Sequence, residues 1–246
     1  MTAAPMLRVD PAALRGLVHA MIRAGGSAED EAAMVTDHLL ESNLQGHDSH
    51  GIMLLVRYVE NLRAGKLNAG AMPEAVRQDA SLAVFDGKMG YGQRIGRITM
   101  DWAINAARQH GHAVMALKNV HHLGRIGSYG EQAARAGMIS VHFVNGVSGP
   151  GAVAPFGGTD GRMSTNPVCV AVPAVAEGEH PLILDFATGP SRSANAALPS
   201  MPASQCRMAL WWMRRANPPM IRVCCIGTSR VALCCPLVGI RAMGWR

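Results

Sequence analysis

The stretch SLAVFDGKMGYGQRIGRITMDWAINAARQHGHAVMALKN, Ser81 to Asn119, holds one strand, one helix and a second strand. Ser81 to Phe85 is a short apolar run closed by an Asp86-Gly87 turn, the pattern of a strand. From Arg94 to Gln109 the apolar residues Ile95, Ile98, Trp102, Ile104 and Ala106 recur at helical spacing. His112 to Leu117 then reads as the next strand. Strands alternating with helices build an α/β layer, and the chain continues in the same way. A helix is expected over Ser128 to Ala136, with strands over Met138 to Val144, Val168 to Val172 and Leu182 to Phe186.

Gly90, Gly92 and Gly96 lie between the first strand and its helix and invite a dinucleotide fingerprint. That motif needs Gly-x-Gly-x-x-Gly directly after the strand and an acidic residue ending the next one. Here the spacing is one residue too long, and the next strand ends in Lys118-Asn119. Two readings remain, an NADP-type Rossmann site and a glycine-rich turn packing the helix onto the sheet, and the second is favoured.

Upstream of this unit the chain is helical. Asp10 and Pro11 read as N-cap and first position of a helix to Ala24, stopped by Gly25-Gly26. Ser27 with Asp30 resembles a capping box opening a second helix, and a third runs from about Gly51 to Arg63. Between these two sits a polar turn, His47, Asp48, Ser49 and His50. A histidine near its reference pKa of about 6.5 can take or give a proton at neutral pH. Asp48 can orient it and Ser49 can donate to it; Arg57, two helical turns on, can hold a carboxylate. The competing reading has Asp48 or Ser49 capping the next helix and the histidines solvated. A second polar cluster, Lys118, Asn119, His121, His122, Gly124 and Arg125, follows a strand's carboxyl end, where α/β sheets place ligand sites. A metal held by His47 and His50 with His121 or His122 is disfavoured, because no carboxylate shell accompanies them.

Composition excludes other classes. The formal charge of +6 misleads, since residues 1–189 carry 15 Lys and Arg against 17 Asp and Glu, a net of −2. Residues 190–246 hold eight arginines, five of the six cysteines and three of the four tryptophans, with no acidic residue. That segment has no motif or helical stripe able to read nucleic acid, and Cys224-Cys225 and Cys234-Cys235 lack zinc-site spacing. With no signal-like N-terminus and no long apolar run, no membrane contact is expected. A lone Cys169 before residue 190 fits a reducing compartment, so the cytoplasm is expected.

Four motifs together carry a family resemblance: GHDSHGI at Gly46 to Ile52, HHLG at His121 to Gly124, TNP at Thr165 to Pro167 and LDFAT at Leu184 to Thr188. They are similar to the G-x-x-S-H-G, N-H-F-G, G-T-N-P and L-D-M-A-T-S motifs of the second malate/L-lactate dehydrogenase type. That family includes ureidoglycolate and sulfolactate dehydrogenases and piperideine-2-carboxylate reductases. The resemblance covers Leu7 to Thr188. It implies an incomplete α/β fold: a helical region, residues 1–72, and a mixed α/β sheet domain of non-Rossmann type, residues 73–189. Residues 190–246 fall outside the pattern, and an aberrant, disordered tail is expected there.

The resemblance further implies an NAD- or NADP-dependent oxidoreductase. It would interconvert a 2-oxo acid or cyclic imino acid with a 2-hydroxy or 2-amino acid, and work as a cytoplasmic homodimer. The alternative is a catalytically inactive fragment of such an enzyme. His50, Ser49 and His122 would be catalytic, with proton transfer assigned to either histidine, and Arg57 would bind substrate. Gly146, Thr165, Asn166, Asp185, Phe186, Ala187 and Thr188 would contact the cofactor. Two departures stand out. Leu54 occupies a place where some branches have arginine, and Ser164 replaces the glycine of G-T-N-P.

Overall fold

The computed structural model describes residues 9–147, 151, 153–157, 159–176 and 178–189, and the backbone of 237–241. The chain opens with helices α1 (Pro11–Ala24), α2 (Glu29–Leu44) and α3 (Leu54–Arg63), the last two joined through a 3₁₀ turn at Asp48–His50. Asp10 caps α1 as expected, accepting from Ala12 N at 3.3 Å and Ala13 N at 3.2 Å. The capping box at Ser27 does not form. Ala28 is the N-cap of α2 without a side-chain cap bond, because Asp30 turns away to bind Arg94 Nη2 at 2.6 Å.

Val18 and Ile22 of α1, Val35 and Leu39 of α2, and Leu54, Leu55 and Tyr58 of α3 close a helical core with Leu67 and Tyr91. A second core lies between the sheet and the helices α4 (Gly92–His110) and α5 (Gly127–Arg135). Arg94 fastens the two together. Its guanidinium, nearly buried, meets Asp30 and the fully buried Glu31, whose other oxygen accepts Gly70 N at 2.9 Å. Removing one partner of a buried pair leaves the other charge uncompensated, at a cost of about 3–5 kcal/mol. Arg94→Met should therefore lower unfolding free energy by about that much, and Arg94→Met with Glu31→Met should recover most of it. Denaturant titration reads both, and a single-variant loss below ~1 kcal/mol would remove the pair from the stability argument.

The sheet has seven strands: β1 (Glu74–Gln78), β2 (Leu82–Asp86), β3 (Ala113–Lys118), β4 (Met138–Phe143), β5 (Val168–Val172), β6 (Leu182–Phe186) and β7 (Leu237–Arg241). Their spatial order is β1-β2-β3-β7-β4-β5-β6. The edge strand β1 has no counterpart in the sequence reading. All five of its residues are exposed, so EAVRQ shows no alternation of apolar and polar positions. Of residues 190–246, only the backbone of β7 is among those described, and it lies between β3 and β4, antiparallel to both. The rest of that segment lies outside the described residues.

Direction decides where a site can form. β2 and β3 run parallel, and β7 reverses between β3 and β4, so β4 points the same way as β3. β5 reverses again and β6 restores the direction. The loops after β2, β3, β4 and β6, with the loop entering β5, therefore share one edge of the sheet. This is not the strand order of a dinucleotide fold, and the glycines after β2 do packing work. At Gly92 a Cβ would come within 2.3 Å of the His122 carbonyl oxygen, so only glycine lets α4 start against the loop following β3.

Candidate active site

Asn43, in the last turn of α2, shapes the histidine turn. Its amide nitrogen donates to Asp48 Oδ1 at 2.6 Å and its oxygen accepts Ile52 N at 2.9 Å. A Cβ at position 51 would fall 2.0 Å from that same oxygen, which accounts for the glycine after His50. Asp48 is thus spent on Asn43, and no side chain caps α3, whose N-cap is Met53. The capping alternative is overturned. Ser49 Oγ lies 2.9 Å from His50 Nδ1.

The sheet-edge loop brings the second histidine cluster to this turn. The His50 and His122 rings stack with centroids 5.6 Å apart and planes 23° from parallel. Tyr58 of α3 reaches from the helical core and places its hydroxyl 3.0 Å from His122 Nδ1. Gln93 Nε2 donates to the same hydroxyl at 2.6 Å, and Gly124 N donates to His122 Nδ1 at 3.2 Å. His121 sits edge-on to Tyr58 and pairs through Nε2 with Asn61 Nδ2 at 2.9 Å. Behind them, His38 of α2 accepts Arg125 N at 3.0 Å.

Burial suppresses positive charge on these rings. Desolvation, followed by the nearby charges of His50 and His121, lowers His122 to about 3. Desolvation and then Arg125 lower His38 to about 3, and desolvation and then Arg57 lower His121 to about 4. Desolvation also raises the Tyr58 phenol. At neutral pH His38, His121 and His122 are neutral imidazoles and Tyr58 is a protonated phenol.

Arg57 stands on the exposed side of α3, close enough to act electrostatically on His121, His122 and Tyr58. Among the described residues no carboxylate pairs with it. Leu54 faces the helical core, 7% exposed, so the position where some branches carry arginine offers no cation here. Among the described residues, no three His, Cys, Asp or Glu side chains converge as a metal site.

The residues expected to contact cofactor meet at the same sheet edge, and several are bonded to one another. Gly146 N donates to Asn166 Oδ1 at 3.0 Å. The Thr188 hydroxyl donates to the carbonyl oxygens of Thr165 at 2.8 Å and Asn166 at 3.0 Å. Asp185 Oδ2 accepts Gly127 N at 2.7 Å, tying β6 to the start of α5. Phe186 is exposed at the end of β6, with Ala187 next to it. A Cβ on Gly146 would lie 2.8 Å from Ser164 Oγ, so the two loops approach closely at this point. Amides, a hydroxyl and an exposed aromatic ring fit a nicotinamide dinucleotide in chemical kind.

The malate/L-lactate dehydrogenase family profile matches residues 9–197. The chain belongs to that family. Hydroxycarboxylate dehydrogenase B of Escherichia coli is 43% identical over 181 residues, covering 74% of this chain and 49% of that protein. The L-lactate dehydrogenase of Cupriavidus necator is 39% identical over 182 residues, covering 74% and 52%. The malate dehydrogenase structure from Pyrococcus horikoshii superposes with a TM-score of 0.72 at 32% identity, over 77% of this chain and 53% of that one. The chain spans about half the length of the curated relatives it matches. Among malate/L-lactate dehydrogenase motifs, the Ser-His-Gly turn meets the HHLG loop, and the TNP loop meets the end of the LDFAT strand. Tyr58, Gln93, Asn61, Asn43 and His38 complete the cluster and were missed in the sequence. Apart from Asn43, which bonds within its own turn, their partners lie far along the chain, 64 residues for Tyr58 and His122, so no local pattern marks them.

Proposed function

We propose that these residues serve an oxidoreductase. It would move a hydride between a nicotinamide dinucleotide, NAD or NADP, and a small 2-oxo acid or cyclic imino acid, giving a 2-hydroxy or 2-amino acid. The observation that carries the reading is the stacked His50–His122 pair with the Arg57 cation, which pairs with no carboxylate among the described residues, acting on it electrostatically. The activities for which the relatives are named, on hydroxycarboxylates, lactate and malate, support the same class.

In this reading Arg57 anchors the substrate carboxylate and the two imidazoles flank its reacting oxygen. Ser49 orients His50. When bound, the nicotinamide ring supplies or takes up the hydride, and Gly146, Thr165, Asn166, Phe186, Ala187 and Thr188 would hold the cofactor, with Asp185 bracing the loop behind them. Burial around His122, His121 and Tyr58 keeps water from competing for the oxygen. We further propose a cytoplasmic homodimer with small-molecule substrates only. The net −2 of residues 1–189 supports no polyanion partner, and no helix among the described residues is long and apolar enough to cross a membrane.

Titrating the purified chain with NADH and with NADPH, followed by a panel of 2-oxo acids, tests the reading. Saturable binding with 2-oxo-acid-dependent oxidation is expected, and binding of neither cofactor would sink it in favour of an inactive fragment. Arg57→Lys should raise KM for the 2-oxo acid about tenfold while cofactor affinity holds, because an ammonium cannot form the planar two-pronged contact. An unchanged KM would remove Arg57 from the site.

A further inference from the structure

The geometry points to a division of labour between the two histidines: Tyr58, Gln93 and Gly124 hold His122 as a hydrogen-bond donor through Nε2, leaving proton transfer to His50. The inference rests on the reading of this site as one that reduces 2-oxo acids.

The polarity of the chain of hydrogen bonds follows from its one unambiguous donor. Gly124 N can only donate, so His122 Nδ1, 3.2 Å away, presents a lone pair and carries no proton. The Tyr58 hydroxyl, 3.0 Å from that same nitrogen, must then donate to it as well. Its oxygen is left to accept, and Gln93 Nε2 supplies the proton at 2.6 Å. Gln93 is 2% exposed and its Oε1 has no hydrogen-bond partner among the described residues, so the direction of the chain is set by the Gly124 N–H. With Nδ1 bonded to two donors, the proton of the neutral imidazole resides on Nε2.

The consequence is chemical. A neutral imidazole with Nε2–H polarises a carbonyl oxygen but has no lone pair there to receive a proton from a hydroxyl. Burial keeps His122 neutral at working pH, which supports the same role. In the reducing direction, hydride from the dihydronicotinamide adds to the carbonyl carbon as the C=O π bond breaks. The developing alkoxide accepts a hydrogen bond from His122 Nε2–H and takes a proton from the imidazolium form of His50, which is left as a neutral imidazole. The substrate is reduced and the nicotinamide oxidised. His50, held at Nδ1 by Ser49, is stacked within 5.6 Å of His122 and so is placed to reach the same oxygen. Tyr58 and Gln93 are positioning residues that act through His122.

The test is nitrogen NMR of the full chain labelled with ¹⁵N-histidine, recording long-range ¹H–¹⁵N correlations at pH 7.5 and assigning His122 by a His122→Gln control. The expected pattern is a protonated Nε2 and an unprotonated, hydrogen-bonded Nδ1. Tyr58→Phe should shift the Nδ1 resonance towards the unbonded position and admit some Nδ1–H form, while a thermal melt reports whether the fold is kept. A wild-type His122 protonated at Nδ1 overturns the proposal, as does a Tyr58→Phe spectrum identical to wild type. In turnover assays Tyr58→Phe should lower kcat about tenfold with cofactor affinity unchanged, and an unaltered kcat overturns the positioning role. The spectra need no turnover, so failure of the oxidoreductase reading, seen as absent cofactor binding, is told apart from failure of the tautomer assignment.

Discussion

His50→Ala should lower the turnover number by roughly 100-fold or more, the usual worth of a positioned general acid or base. The measurement is steady-state kinetics on the 246-residue chain and, in parallel, on the Escherichia coli hydroxycarboxylate dehydrogenase B carrying the matching change. Cofactor affinity should hold, because the His50 ring lies against Ser49 and His122 in the histidine cluster. His122→Ala should also reduce kcat, through loss of carbonyl polarisation. The two defects differ in their pH dependence. A group that exchanges a proton in each turnover leaves an ionisation in the pH–rate profile, and a permanently neutral donor does not. The inflection in the acid limb should therefore vanish in His50→Ala and persist in His122→Ala. Equal loss of turnover and of cofactor affinity in His50→Ala would mean that the turn had collapsed.

Acid sensitivity is the second large effect. His38 and His122 are lowered to about 3, and His121 and His142 to about 4, in each case first by burial. In the unfolded chain each returns to about 6.5. Below that value the unfolded chain binds protons that the folded chain refuses, so stability falls as pH falls from about 6.5 towards 3–4. Above about 6.5 both states are neutral at these sites and the contribution is flat. Each group adds a slope of up to about 1.4 kcal/mol per pH unit inside the window, and together they should shift the urea midpoint sharply between pH 7 and pH 5. His142→Gln should flatten the slope without touching the active-site cluster, since His142 lies on β4 against Ser140, at 2.9 Å. A midpoint constant from pH 7.5 to 5 would show that these rings are solvated.

Residue type and order alone determined a large share of this protein. The spacing of Ile95, Ile98, Trp102 and Ile104 in α4, the Asp10-Pro11 start of α1 and the apolar runs of β2 to β6 are local, and local periods survive in the sequence whatever packs against them. The four motifs are also local, each confined to a few residues of one loop. They led to the family without any knowledge of distances. The edge strand β1 was invisible because its residues are all exposed, and exposure erases the alternation that marks a strand. Ser27 and Asp30 formed a plausible cap by spacing, yet the buried Arg94 outcompeted the backbone amides for the Asp30 carboxylate.

Only the tertiary structure decided the chemistry of the site. The directions of β2, β3, β4 and β6 gather their loops at one edge, and α3 lays Tyr58 across the loop carrying His121 and His122. The proposed division of roles between the two histidines depends on a hydrogen-bond chain through Gln93, Tyr58 and Gly124, residues from three separate elements. Neutrality of the buried rings likewise arises from desolvation by the folded chain, a property of packing that no stretch of sequence holds by itself.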